Sequence, residues 1–479
     1  MASSRKSHAA PFPCAGRFIA LLAVTGTFAG CVQYRQAPLE PAQSAGEFAA
    51  RRLGDVQLRG ELLRLMPQTM AWPPADWDRA ELLAVALTQN SQLAVARAQV
   101  NEALSREVTA AQALNPNLNL QSEYARHDPH PWLYGVSLNW LLRSPARRRL
   151  ETEIARLDTG NARLQLMEQA WAVRSSLAAA LSDWEDARRR LDLLDRLAGA
   201  QDKLVAVERQ RVEAGEDAPS ELLVSEQARI QIEEQEAELR ETADAAQAAA
   251  AKALGLPPQA LDGLNFAWHD WGEPPPVDED TRREAREQAL LSRADLGQAI
   301  AAYAAAETKL KLAVARQYPE FELSPGYYWD HGIAKFPFNV GFTLPFNRNR
   351  GEIAAARAGR DLAGQRILAL QADIYGEIAA AERAEHIARA SIDAAERQLQ
   401  TARRQKQAAD LGFKLGAADL ENKVSAEILG VRAELEMVQM RAQLQNSRNN
   451  LENVLHAPLS GPELALAKTM ASLASGAGT

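Results

Sequence analysis

Imidazole and carboxylate side chains crowd into two short segments, His127-Asp128-Pro129-His130 and Asp330-His331, and these residue types could hold a divalent metal. Asp, Pro and Gly in the same stretches make tight turns without any metal, and neither segment supplies a full ligand set. No metal site and no cofactor are assigned. Catalytic spacings are missing too: there is no G-x-S-x-G, H-E-x-x-H, P-loop or C-x-x-C pattern, which argues against an enzyme. The net charge of −8 and pI near 5.6 leave no basic surplus to hold a phosphate backbone, so nucleic acid is set aside as a partner.

The start of the chain bears on location. Arg5, Lys6 and Arg17 precede an apolar run from Phe18 to Phe28, followed by small residues and Cys31, the pattern of a secretory signal peptide. The run is shorter than the roughly 20 residues a permanent membrane helix needs. Cys14 lies inside the signal, so the mature chain keeps only Cys31 and forms no internal disulfide. Phe28-Ala29-Gly30-Cys31 resembles a bacterial lipobox, although Phe28 stands where that pattern prefers Leu. The resemblance implies a covalent lipid on Cys31. Val32, where an Asp would retain a lipoprotein at the inner membrane, implies the outer one.

The remaining sequence reads as two equivalent halves. Pro116 and Pro319 open similar segments 203 positions apart, as do Leu93 and Leu296; Val136 and Val340 are offset by 204, and Leu254 and Leu455 by 201. Each half predicts a helix (about Trp77–Ala113 in the first), two short strands, a very long helix, a turn and another helix. The pattern from Pro145 to Ala214 would make a helix roughly 100 Å long. Val173, Leu177, Ala180, Trp184, Ala187, Leu191, Leu194 and Ala198 alternate spacings of four and three, as do Val424, Ile428, Val431, Leu435 and Val438; both stripes predict helix-to-helix packing. The expected organisation is a signal peptide at 1–30, a lipidated irregular segment at 31–76 with a short helix around Phe48–Leu65, a first repeat at 77–254, a Pro-rich connector at 255–280, a second repeat at 281–456 and a fraying tail at 457–479.

Strands are expected near 117–125, 132–142, 319–329 and 336–346. Leu118, Leu120, Ser122 and Tyr124 alternate with Asn117, Asn119, Gln121 and Glu123, and Phe338, Val340, Phe342 and Leu344 with Asn339, Gly341 and Thr343. Windows 116–142 and 319–346 hold 12 of the 28 aromatics, including Tyr124, Trp132, Trp140, Tyr327 and Trp329, which suit the aromatic girdle of a membrane barrel. A soluble hairpin packed on helices is the competing reading. Hydrocarbon cannot satisfy an open sheet edge and four strands cannot close, so a barrel would be shared among chains: eight strands from two copies or twelve from three.

At this point the chain resembles the TolC family of outer-membrane efflux factors over about residues 77 to 456. The carriers are the repeat, the turns in RVEAGEDAPSELLVSEQARI and AADLGFKLGAADLENKVSAEI, and TLPFNRNRGEI from Thr343, which is similar to the strand-to-helix junction of the CzcC and CusC heavy-metal branch. The resemblance implies a mainly α fold with a shared 12-stranded membrane β-barrel, completed in a homotrimer and continued by a tunnel of long coiled-coil helices. It implies a periplasmic adaptor and an inner-membrane pump, commonly of the resistance-nodulation-division class, as partners, and outer-membrane lipid around the barrel. Gly215 and Gly412 would mark the hairpin tips that dock the adaptor. Asp419 and Glu421 would ring the periplasmic constriction, and Lys414 with Glu221 would tether neighbouring hairpins. Arg143, Arg147, Arg148, Arg149, Arg348 and Arg350 cluster where strands return to helix, facing either lipid phosphates or plain solvent. The expected function is a conduit exporting small molecules or metal ions; the alternative is a lipid-anchored periplasmic adaptor or scaffold.

Overall fold

The computed structural model describes residues 32–66, 72–464 and 466, so the signal peptide and Cys31 lie outside the described residues. Helix α1 (Pro41–Ala50) belongs to a separate N-terminal unit, and everything from Arg51 onward forms the second. That second unit opens with α2 (Val56–Leu65), so the short helix expected around Phe48–Leu65 begins only beyond Asp55.

The single helix expected over Trp77–Ala113 is two, α3 (Arg79–Gln89) and α4 (Ser91–Ala111). Asn90 makes the break: its Oδ1 accepts from the Gln92 and Leu93 amides, which caps α4. Strands β1 (Asn117–Tyr124) and β2 (Trp132–Leu142) follow, then α5 (Pro145–Glu213) and α6 (Pro219–Leu254). The second half repeats the order with α7 (Glu279–Ser292), α8 (Ala294–Ala315), β3 (Phe321–Asp330), β4 (Ile333–Lys335), β5 (Phe338–Phe342), α9 (Arg350–Lys414) and α10 (Leu420–Leu455). The last strand expected, near 336–346, is two pieces because Pro337 has no N–H to give the ladder; its carbonyl accepts from Gly326 instead.

Long helices α5 and α9 set the frame. Near the strands they are flanked by α4 and α8, in the order α4–α5–α8–α9; away from them the order is α6–α5–α10–α9. The heptad-like stripe does this packing: Val173, Leu177, Ala180, Ala187, Leu194 and Ala198 are buried, and Val424, Ile428 and Val431 cluster with the last three.

The two halves share one joint. Asn90 Nδ2 donates to the Ala253 carbonyl at 2.8 Å, and Arg293, 203 positions later, donates to the Val454 carbonyl at 2.9 Å. Each contact pins the break between two upstream helices to the last turn of the returning one. Gly255 and His456 then end those returning helices in left-handed conformation, φ 76° and 50°. A Cβ at Gly255 would lie 2.3 Å from the Gln89 carbonyl oxygen, which explains the glycine. His456 takes the same backbone conformation with its ring stacked on Trp171, centroids 5.4 Å apart.

The connector is irregular but not loose: Phe266, Trp268 and Trp271 are buried, and Trp77 bridges to Phe266. The fraying expected past Pro458 also fails over its described part. Leu459, Glu463 and Leu466 are buried, and Glu463 meets Arg174 at 2.6 Å. Arg174 also pairs with Glu452, and the two carboxylates outweigh the cost of burial and raise its pKa. A second buried centre joins α10 to two more elements. Glu385 of α9 takes Arg448 of α10 at 2.5 Å, Arg282 of α7 at 2.9 Å and Arg389 at 3.1 Å, and both Glu385 and Arg448 are only 1% exposed. Burial pushes the Glu385 carboxyl up, but Arg448 and Arg282 prevail and hold it below the usual range.

Two outcomes are expected. Glu385→Gln strands buried guanidinium groups, and the loss should be about 3–5 kcal/mol, read from denaturant unfolding. Burial and the nearby Arg293 lower the pKa of His456 from 6.5 to about 4. The unfolded chain therefore takes up the proton first. Stability is full above pH 6.5 and falls toward pH 4 by up to roughly 3 kcal/mol. His456→Asn, which keeps the left-handed turn, should flatten that part of the melting-temperature profile; an unchanged slope would assign the acid sensitivity elsewhere.

Candidate membrane sheet and periplasmic gate

Strand order places the two hairpins side by side, β1-β2-β3 with β4 and β5 both on the far edge of β3, all antiparallel. Paired residues share a face, so register decides whether two alternating strands make one apolar surface or cancel. Here they add. Leu120 faces Val136, which faces Tyr327; Tyr134 faces Trp329; Leu142 faces Phe321, which faces Phe342. The opposite face carries Asn119 against Ser137, Asn117 against Asn139, and Glu322 against Gly341. Gly135 on that face leaves the space filled by the Tyr328 ring, whose Cδ1 would be 2.1 Å from a Cβ there.

The apolar face is bare in the single chain: Leu120 is 77% exposed, and Leu118, Trp132, Tyr134, Phe338 and Phe342 are exposed as well. The strands pack mainly on one another rather than on helices. So large an apolar surface implies a covering that the chain itself does not provide.

Aromatics gather at its two ends. At the turn end Tyr124 meets Trp132 at 5.0 Å, Tyr134 stacks on Trp329 and Tyr327 packs on Phe336 at 5.1 Å; at the helix end Trp140 lies near the Phe321–Phe342 pair. Trp132 and Trp140 stand about 26 Å apart along β2, close to the height of a membrane barrel's apolar band. Between the outer turns, His331 Nδ1 lies 2.7 Å from the His130 carbonyl oxygen and 3.7 Å from Asp128. Among the described residues no three His, Cys, Asp or Glu side chains converge as a metal-ligand set, and no helix is long and apolar enough to cross a membrane.

The opposite end of the long helices holds the candidate gate. Gly215 turns the first hairpin at φ 75°, and the second turns on Gly416 at φ 73°, 201 positions later. Gly412 sits in the last turn of α9, where its carbonyl accepts from Ala417 and Ala418, so the tip glycine assigned there belongs at 416. Asp419 caps α10 by accepting from the Asn422 amide at 2.8 Å. That bond first, and then the Asn422 side chain and Arg211, hold its carboxyl below the usual range. Burial, with Asp419, Asp217 and Glu208 close by, raises Glu421 against the pull of Arg211.

Arg211 is the residue that sequence reasoning missed. Standing at the end of α5, it holds Asp217 of its own hairpin at 2.6 Å and reaches across to Asp419 at 3.3 Å and Glu421 at 3.0 Å. It therefore clamps the two hairpins of one chain together. Lys414 and Glu221 form no ion pair with each other or with another group among the described residues; their partners, if on a neighbouring hairpin, lie beyond one chain.

Residues 285–456 match the family described as outer membrane efflux protein. The fold is similar to solved outer-membrane channels over nearly the whole of both chains. For OprN the identity is 17% and the TM-score 0.65, covering 90% of this chain and 98% of the other. For CmeC of Campylobacter jejuni they are 13% and 0.65, covering 93% and 97%; for CusC they are 16% and 0.64, covering 88% and 98%. No curated protein matches the sequence. The chain as a whole has the fold of these solved outer-membrane channels, and its residues 285–456 match the outer membrane efflux protein family.

The register makes a sharp expectation. Leu120→Arg on the apolar face should remove the chain from the membrane fraction, at about 2–4 kcal/mol per copy near the midplane. Asn119→Arg, one residue along and on the other face, should leave it there; equal behaviour of the two would refute the face assignment.

Proposed function

We propose that the protein is the outer-membrane conduit of a tripartite efflux system. Three copies close a 12-stranded barrel, their long helices continue it as a periplasmic tunnel, and the chain itself catalyses nothing. Cargo arrives through a periplasmic adaptor from an inner-membrane pump of the resistance-nodulation-division class, and Cys31 carries a lipid anchor. The observation that carries this reading is the continuous exposed apolar face on a sheet with two unpaired edges, since hydrocarbon accepts such a sheet only when neighbours complete it. A periplasmic adaptor or scaffold has no use for that face.

The tips fit docking and gating. Leu223, Val224, Leu411 and Leu415 are exposed beside the turns, an apolar patch for an adaptor. Asp419 and Glu421, repeated three times around a narrow mouth, would favour cations over anions. The similarity to CusC is no greater than to the other channels, so small molecules and metal ions stand equally as cargo.

Two measurements test the reading. The purified full chain should run as a trimer in detergent and open pores in planar bilayers; a monodisperse single copy that is soluble without detergent and forms no pore would end the proposal. Arg211→Gln frees both acidic residues of the second hairpin and should raise single-channel conductance at least as far as Lys414→Ala does. Unchanged conductance in Arg211→Gln would mean that the clamp does not restrain opening.

A further inference from the structure

Between the joint and the hairpin tips the helices lie in the order α6–α5–α10–α9, so α6 and α9 are the two edges. In the internal seam between α5 and α10, Arg196 pairs with Glu434 at 2.8 Å and Lys203 with Glu427 at 3.8 Å. The repeat carries the same four charges to the edges. At the offset of 201 that separates Gly215 from Gly416, Arg196 corresponds to Arg397 and Lys203 to Arg404, both on α9. Glu434 corresponds to Glu233 and Glu427 to Glu226, both on α6.

That offset holds in three dimensions. Ala187, Leu194 and Gln201 of α5 are buried, and so are Ala388, Ala395 and Ala402 of α9; Ser225 and Ile232 of α6 are buried, and so are Ala426 and Ala433 of α10. Arg397 and Arg404 each stand two residues past a buried alanine of α9, about 200° around the helix, and thus on its free side. On α6, Leu223, Gln227 and Ile230 hold the positions that Val424, Ile428 and Val431 hold on α10, where those three pack in the cluster with α5. Leu223 and Ile230 are 63% and 55% exposed. Each edge therefore repeats one side of a seam that already exists inside the chain.

The charges on these edges are not spent within the chain. Arg397 and Arg404 are exposed and form no ion pair among the described residues. Glu226 meets Arg209 at 2.8 Å and Glu233 meets Arg229 at 3.2 Å, each through Oε1, which leaves Oε2 for a second cation. The wider balance is complementary as well: α6 has eight acidic residues against three basic ones, while 397–414 of α9 has five basic against one acidic. Repulsion keeps two α6 edges or two α9 edges apart, and attraction brings α9 to α6. A contact between two different edges is heterologous, the kind that closes a ring of copies.

We propose that α9 of one copy seats on α6 of the next as α5 seats on α10 within the chain, with Arg397 facing the next copy's Glu233 and Arg404 its Glu226. This inference rests on the trimeric reading above and adds to it the pair of edges that meet and the charges that select them. The third ion pair of the internal seam is not repeated, because Gly412 and Ser220 stand where Arg211 and Glu421 would have to be. The seam between copies is thus fastened along the helices and carries no counterpart of the Arg211 clamp at the tips.

The full-length protein in detergent tests this with a short bifunctional maleimide and denaturing gels. R397C/E233C should give a ladder ending at a covalent trimer, while R397C alone, E233C alone and the internal pair R196C/E434C should each run as a single chain. A covalent dimer from R397C alone would mean that α9 meets α9, and would overturn the seam; so would an intact trimer that R397C/E233C fails to join. The charges are read separately from the protein concentration at half assembly. At low salt R397E/R404E should raise it about tenfold, with the gap narrowing at high salt, and R397K/R404K should stay near wild type. Assembly of R397E/R404E equal to wild type would overturn the ion pairs. Wild type that is a single copy in detergent would remove the trimeric reading and the seam with it.

Discussion

Backbone hydrogen bonding at the two free edges of the sheet constrains everything else in this molecule. The outer side of β1 and the far side of β4 and β5 present N–H and C=O groups that no described residue of the chain satisfies. In water such edges invite uncontrolled pairing; in hydrocarbon each unmet group costs several kcal/mol. The apolar face cannot be exposed to water and the edges cannot be exposed to lipid. On the proposed function, closure with further copies removes both penalties, and the shared register of β1, β2 and β3 presents a wall suited to it.

A wall with fixed edges needs helices that keep their spacing, and the buried charges serve that end. The Arg174 centre ties α5 to α10 and to the C-terminal segment, while the Glu385 centre ties α7, α9 and α10. Apolar side chains of equal volume could pack there with comparable stability, but guanidinium–carboxylate geometry accepts only one alignment. Between these centres and the tips the long helices bury mainly small and aliphatic residues, which permit close walls without dictating register. Rigid alignment at mid-helix contrasts with the tips, where the clamp on Arg211 is solvent-accessible and can be broken without disturbing a core. The arrangement places stiffness midway along the long helices and adjustability at the hairpin tips.

Much of this was legible in sequence for a simple reason: periodicity reports local structure, and duplication reports it twice. The strands, the two long helices and the Val173-to-Ala198 stripe follow from spacing alone. The second tip glycine was within reach as well. Gly416 stands 201 positions after Gly215, the offset also given by Leu254 and Leu455, whereas Gly412 is out of that register. The Asn90 break was harder to see, because Ala- and Gln-rich helix continues on both sides and only the remote Ala253 carbonyl makes the asparagine worth its helix-breaking character.

By itself, then, the sequence determined which segments are helix, which are strand, which strand face is apolar, and that each half repeats the other, since all of these depend on residues a few positions apart. Tertiary structure decided which charges meet. Nothing near Arg211 in the chain points to Asp419 and Glu421 some two hundred positions away, nor near Arg174 to Glu463 or near Glu385 to Arg282 and Arg448. An ion pair depends on a few ångströms between side chains, and those ångströms are set by how distant helices pack.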